Sequence, residues 1–478
     1  MKRASGVLMH VSSLWGEYSI GSFGKEAKKF VDFLSDSGFT YWQVLPFCMA
    51  DESNSPYKSF SAFGGNPFFI DLPTLHEKHL LTKEELDAAK QKTPYVCEYD
   101  RLKEERMRLL ALAASRADFR IEIKVAQFIK EHKALGDAAR FLALRDENGD
   151  TPWQAWKSQE PSKENLFFHE FLQYEFFTEW LEIKTYANQR GIKIIGDVPI
   201  YVALDSADVW ASSEQFLLDG RKMPTSVAGV PPDYFCEDGQ LWGNPLYNWK
   251  YMKSDNYSWW RERIRHMLTL FDGVRIDHFR GLESYWSVPA SAKTAKEGKW
   301  VKGPGRALIN AIREEAGDKL IIAEDLGDIT DEVVSLVNYS GFPGMRVFQF
   351  AFLGDRNTPH LPHNYPKNCV AYTGTHDNQT LFSWFDTITN EEREAAIDYL
   401  DEWGIEGGGL SQRFISVLMQ SKARLCIVPL QDWLELDDRS RMNTPSTVGE
   451  NWRWRARRED LSEKLCRRIR SLSEKYGR

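Results

Sequence analysis

The stretch FDGVRIDHFRG (residues 271–281) decides the reading of the fold. A short buried-type run, interrupted by Arg275, ends in Asp277 and His278, as a parallel strand does where it leaves its sheet. The pattern recurs on both sides. Toward the N-terminus it appears in KIIGDVPI (193–200), YWQVLPF (41–47) and GVLMHV (6–11). Toward the C-terminus it returns in KLIIAEDL (319–326), GMRVFQF (344–350), NCVAYTG (368–374) and RLCIVPL (424–430). An amphipathic stretch at 24–38 separates the first two runs, and Gln189-Arg190-Gly191 reads as a helix stop before the third. Eight such strands alternating with helices predict an α/β protein built as a (β/α)8 TIM barrel. An open doubly wound sheet competes, but no G-x-G-x-x-G follows any of the runs.

The spacing is uneven. Between the second and third strands, residues 82–186 are charged and helix-periodic, as in 103–112 and 121–132, which predicts a helical subdomain inserted into a single catalytic barrel spanning 1–478. After the third strand, residues 205–255 are rich in Gly, Pro and aromatics, with six aromatics at 234–251. A long ordered rim loop is expected there, where functional loops concentrate. Residues 459–478 read as a charged amphipathic helix.

Composition narrows the function. The chain has 478 residues, with Lys+Arg 61 against Asp+Glu 69 and a net charge of −8, which argues against nucleic acid or an anionic membrane as the main partner. Seventeen Trp, 18 Tyr and 28 Phe are more than ordinary; such rings serve first as core and also suit a surface that stacks on sugar rings. The six cysteines are scattered without a CxxC pair, against a zinc ribbon or disulfide scaffold. The N-terminus lacks a signal-peptide apolar region, and no run approaches a membrane span. The expectation is a cytoplasmic protein with reduced thiols, no cofactor and no metal.

In a barrel, chemistry gathers at the C-terminal ends of strands. Asp277, Glu324 and Asp377 fall at three such ends, each beside a His or a second acid. Glycosidic bond exchange wants such a set: an ionised carboxylate to attack the anomeric carbon and a protonated one to assist departure. Arg275 shares a strand face with Asp277 and favours its ionised form, which suits a nucleophile. Glu324 leaves an apolar run, where desolvation raises its pKa and suits an acid/base. Asp325 is expected on the opposite face. His278 and His376 offer donors for sugar hydroxyls.

At these residues the sequence resembles glycoside hydrolase family 77, the 4-α-glucanotransferases called amylomaltases or disproportionating enzymes. The likeness runs through SSLWGEYSIGSFG (12–24), SPYKSFSAFGGNP (55–67), GDVPIYVALDSADVW (196–210), AGVPPDYFCEDGQLWGNPLYNW (228–249), FDGVRIDHFRG, AEDLG (323–327), GFPGMRVFQFAF (341–352), YTGTHDNQT (372–380) and RMNTPSTVGENWRWR (441–455). It implies Asp277 as nucleophile, Glu324 as acid/base and Asp377 as the carboxylate that stabilises the transition state and grips the −1 sugar. It also implies that Arg275, His278, His376, Tyr57 and Asp197 contact that sugar, with Asn443 and Pro445 nearby. The 230–249 loop, with Tyr234, Phe235 and Trp242, is expected on the acceptor side. Donors would be maltooligosaccharides and α-1,4-glucans, and acceptors glucose or another glucan. Trp15 and Glu17 stand where the family usually has Pro, and Ser446 where Gly is common. Those departures concern loop shape. The chain is expected to begin directly at its first strand, without the extension of some relatives, and the resemblance requires no calcium.

An α-glucan hydrolase of the α-amylase clan is the alternative, since the three carboxylates do not choose between water and a sugar hydroxyl. The aromatic rim favours the sugar, because stacked rings hold it and exclude water. A catalytically dead glucan-binding protein would have lost a carboxylate, and all three are present. A phosphate-binding barrel would show a glycine-rich loop after its seventh or eighth strand, and none is visible.

Overall fold

The computed structural model describes residues 2–49, 53–93, 95–149, 151–232, 237–352, 355–405 and 407–478. In chain order its strands are β1 (Ala4–Leu8), β2 (Tyr41–Gln43), β3 (Lys193–Val198), β4 (Ser226–Val230), β5 (Gln240–Pro245), β6 (Gly273–Ile276), β7 (Ser284–Pro289), β8 (Lys299–Lys302), β9 (Leu320–Ala323), β10 (Gly344–Val347), β11 (Cys369–Tyr372) and β12 (Leu425–Pro429). Eight of them close into a parallel barrel in the order β1-β12-β11-β10-β9-β6-β3-β2. Each corresponds to one of the eight runs read from the sequence. The (β/α)8 barrel is the fold of the chain.

Alternation along the strands sets what the barrel holds. Inward positions carry Tyr41, Ile195, Ile322, Met345, Tyr372 and Ile427, which pack together as one buried cluster. Because side chains repeat every second residue, Asp197 follows Ile195, Glu324 follows Ile322, and Asp277 follows Arg275 on this same inner face. The apolar floor therefore continues upward into an ionisable mouth. Close strand and helix packing has its own requirement at Gly196, where a Cβ would meet the Phe271 ring at 2.2 Å.

Outside the barrel, helices are placed by amphipathic spacing. In Lys25–Asp36, Ala27, Phe30, Val31 and Leu34 are buried, a stripe that faces the strands. Between β2 and β3 run the helices Lys83–Ala89, Met107–Ser115, Phe119–Glu131, Lys133–Asn148 and the 27-residue Lys163–Gln189, whose start is capped by the Ser162 hydroxyl accepting the Asn165 N–H. The chain closes on the helix Glu463–Tyr476.

Two features differ from the sequence reading. The barrel strands stop before the ends of the runs: β6 ends at Ile276 and His278 turns left-handed at φ 48°, so the polar residues stand on the rim rather than in the ladder. The stretch 205–255 holds more regular structure than a loop, with the helices Ala207–Ala211 and Trp249–Ser254 and the strands β4 and β5. Those two strands join β7 and β8 in a four-stranded antiparallel sheet ordered β5-β4-β7-β8. Gly and Pro in SVAGV and QLWGNP mask the strand signal. Gly229 is there because β5 passes so close that a Cβ would meet the Gln240 carbonyl oxygen at 2.5 Å. No described helix is long and apolar enough to cross a membrane.

Candidate active site

The mouth is built around one guanidinium. β3 and β6 pair with Asp197 opposite Arg275, and the Arg275 Nη1 meets Asp197 Oδ2 at 2.6 Å. The Nη2 of the same arginine meets Asp277 Oδ1 at 2.8 Å. Burial opposes the Arg275 charge, but the two carboxylates outweigh it and hold its pKa well above the ordinary value. Tyr57 donates its hydroxyl to Asp197 Oδ2 at 2.6 Å and lies parallel to the His376 ring, centroids 5.0 Å apart. Burial pushes both the Tyr57 hydroxyl and the Asp197 carboxyl upward in pKa.

Glu324 emerges beside Asp277. Ile276 pairs with Ala323 across β6 and β9, so the next residues on the two strands are the two acids. Their surroundings diverge. The Asp277 side chain is 27% exposed and bound to Arg275, whereas Glu324 is 8% exposed. Burial, opposed by Arg275 and reinforced by the Asp277 charge, pushes Glu324 up to about 7. Backbone N–H groups fix its orientation: His278 donates to Oε2 at 2.7 Å and Leu326 to Oε1 at 2.9 Å. His278 itself is left-handed, at φ 48°. Asp325 faces away from the mouth, as its alternation predicts, accepting from the Met345 N–H at 2.6 Å and from Arg346 at 3.1 Å.

Asp377 lies on the turn after β11, with its side chain 46% exposed. The Asn443 side chain donates to its Oδ1 at 2.6 Å, and His376 Nε2 stands 3.4 Å from the same atom. Tyr57, Trp242, Asp277, His376, Asp377, Asn443 and Pro445 all line one open cleft of about 330 Å³. Trp242 meets His278 edge-on at 4.9 Å. Burial lowers His278 to about 4, so this ring is neutral at pH 7. Tyr234 and Phe235 lie outside the described residues. The sequence reading missed Tyr201 and Trp452, which also line the cleft, and Trp452 packs at 5.8–6.1 Å against His376 and Tyr57. Trp452 sat within the NWRWR string as an unassigned aromatic. Among the described residues no cluster of three His, Cys, Asp or Glu side chains could hold a metal ion.

A parallel barrel whose mouth sets a salt-bridged carboxylate next to a buried carboxyl pushed up to about 7, with a third acid lining the same cleft as the first, has the groups an acid–base enzyme needs. Known proteins place it more narrowly. The family model for 4-alpha-glucanotransferase, glycoside hydrolase family 77, matches residues 9–461, and the chain belongs to this family. It is 45% identical over 487 residues to a 4-alpha-glucanotransferase of Clostridium butyricum, covering 98% of this chain and 100% of that one. A 4-alpha-glucanotransferase of Thermus thermophilus is 43% identical over 498 residues, with 99% of each chain covered. The structure is similar to that of the amylomaltase from Streptococcus agalactiae in complex with acarbose, with a TM-score of 0.96 at 39% identity and both chains fully covered.

Proposed function

We propose that the protein moves an α-1,4-glucan segment from one maltooligosaccharide to the 4-hydroxyl of another glucan or of glucose. Asp277 acts as nucleophile and Glu324 as acid/base in a retaining double displacement. The observation that carries this reading is the in-register emergence of these two acids from β6 and β9 into opposite environments. Neighbouring strands run ~4.8 Å apart, which suits the ~5 Å carboxyl separation of retaining enzymes. Two acids so close must hold opposite protonation states to work together.

In the first half-reaction Asp277 attacks the anomeric carbon while Glu324 gives its proton to the departing glucan oxygen. Asp277 loses its charge as the ester forms. Arg275 is then still paired with Asp197, so the buried cation is never left without a counter-charge. Asp377, held by Asn443, faces the −1 sugar and stabilises the positive charge that develops on its ring. His376 and the neutral His278 offer hydrogen bonds to sugar hydroxyls, and Tyr57 and Pro445 complete the walls. In the second half-reaction an acceptor 4-hydroxyl returns a proton to Glu324 and takes the glycosyl group. Trp242, with Tyr234 and Phe235, stacks on that acceptor. The acarbose held by the Streptococcus agalactiae relative supports a saccharide as the occupant of the cleft. We read residues 1–478 as one catalytic barrel with a helical insertion at 82–186 and an aromatic rim at 205–255. It works in the cytoplasm with maltooligosaccharides and α-1,4-glucans as donors and glucose or a glucan as acceptor, without cofactor, metal, nucleic acid or membrane.

The test is a chromatogram of products from maltotriose, with reducing ends assayed in parallel. Bond broken and bond formed are the same α-1,4 linkage, so exchange is nearly isoenergetic and mixing entropy spreads the chain lengths. Glucose plus a ladder of longer maltodextrins at constant reducing ends is expected. A rise in reducing ends that matches glucose release would replace the transferase with the hydrolase.

A further inference from the structure

The turn that carries His376 and Asp377 is held from the segment after β12 at three places. At its two ends, buried Asp432 accepts from the Thr373 hydroxyl at 2.5 Å and from the Leu381 N–H at 2.7 Å. Close to the helix that follows, Asp438 accepts from Gln379 at 3.0 Å and from the Thr380 N–H at 2.8 Å. These contacts fix the base of the turn. The tip is fixed by Arg441 and Asn443.

Arg441 spans two carbonyls. Its Nη2 donates to the Asp377 carbonyl oxygen at 2.6 Å and its Nε donates to the Asn443 carbonyl oxygen at 2.9 Å. Asn443 in turn donates its N–H to the His376 carbonyl oxygen at 3.1 Å and its side-chain amide to Asp377 Oδ1 at 2.6 Å. One guanidinium thus sets the distance between the backbone that bears Asp377 and the backbone that bears its side-chain partner. We propose that Arg441 is a positioning residue for glycosyl transfer, acting through Asp377 by locking the turn after β11 to the segment after β12. It faces the backbone side of that turn, so it works without touching the sugar.

The chemistry of the side chain makes the idea specific. A planar fork presents two N–H groups at a fixed spacing, which a flexible ammonium does not reproduce even though it keeps the charge. With lysine at the position, one carbonyl loses its donor and the Asp377 carboxylate is free to shift. A displacement of about 1 Å in a group that stabilises the transition state costs on the order of 10²-fold in rate.

This inference rests on the reading of Asp377 as a group that acts on the sugar, and a double-mutant cycle separates the two. Glucose release from maltotriose is measured for wild type, Arg441→Lys, Asp377→Asn and the double variant, with folding checked by circular dichroism and melting. Arg441→Lys is expected to lose about 10²-fold and Asp377→Asn ~10²–10³-fold. The double variant is expected to match Asp377→Asn alone within about threefold, because a residue acting through Asp377 has nothing left to position. Losses that multiply, or an Arg441→Lys rate within about threefold of wild type, overturn the inference. If Asp377→Asn alone keeps the wild-type rate, the reading of Asp377 itself fails. Should Arg441→Lys not fold, Arg441→Gln takes its place in the cycle, and failure of both to fold makes the residue structural and overturns the inference.

Discussion

Replacing Glu324 by Gln should stabilise the fold selectively at neutral and alkaline pH while it removes acid/base catalysis. The native carboxyl is pushed up to about 7, chiefly by burial, from an ordinary value of 4.5. Between these values the folded protein keeps a proton that the unfolded chain has released. Stability is therefore greatest below the unfolded pKa and declines as pH rises through the folded one. At 1.36 kcal/mol per pKa unit, the decline amounts to ~3 kcal/mol between about pH 4.5 and pH 8. The amide in Glu324→Gln does not ionise, so this part of the decline vanishes in the variant. A pH-independent cost opposes it: an amide nitrogen cannot accept, so either the His278 or the Leu326 N–H loses its partner, at ~1–3 kcal/mol. Urea unfolding of both proteins, followed by tryptophan fluorescence at the two pH values, separates these contributions. The stability of the variant relative to wild type should rise by ~3 kcal/mol from the lower to the higher pH. Stabilities that run parallel at both pH values would show that Glu324 titrates ordinarily and would remove the physical basis for its role as the acid.

Four further outcomes rest on the same geometry. Asp277→Asn should fold normally and lose ~10³-fold or more in maltotriose turnover, and a purified variant within roughly tenfold of wild type would assign the nucleophile elsewhere. For wild type, kcat/KM on maltotriose should fall as pH rises through about 7, because Glu324 must carry its proton into the first step. Glu324→Gln should abolish that limb and spare kcat/KM for α-glucosyl fluoride, whose leaving group needs little protonation in the first step, so equal losses in kcat/KM on both donors would contradict the assignment. Trp242→Ala removes a stacking face worth ~1 kcal/mol. Its transfer-to-hydrolysis ratio should drop while cleavage of the fluoride holds steady, and loss of far-UV circular dichroism would instead make the ring part of the core.

What the sequence made legible followed from local pattern. All eight barrel strands announced themselves because parallel strands are buried on both faces and read as mostly continuous apolar runs. The same runs overshot the strand ends, because nothing local in the sequence separates Ile276 from Asp277 or marks the left-handed turn at His278. Arg275 beside Asp277 could be read because the two lie on one strand. The link from Tyr57 through Asp197 to Arg275 could not, since Tyr57 and Asp197 are 140 positions apart and only closure of the barrel joins them. Their assignment came from family resemblance. β4 and β5 were hidden by the Gly and Pro that let them pass closely. Arg441 was hidden because its partners are backbone carbonyls, which carry no side-chain signature.

The measurement that reaches the centre of the account is the identity of the covalent intermediate. Incubation with a 5-fluoro-α-glucosyl fluoride, which slows release of the glycosyl-enzyme, followed by acid quench, proteolysis and mass spectrometry, should find one added fluoroglucosyl group on the peptide containing Asp277 and none on peptides containing Glu324 or Asp377. An adduct on either of those residues, or time-dependent inactivation with no adduct on any carboxylate, would contradict the double displacement through Asp277.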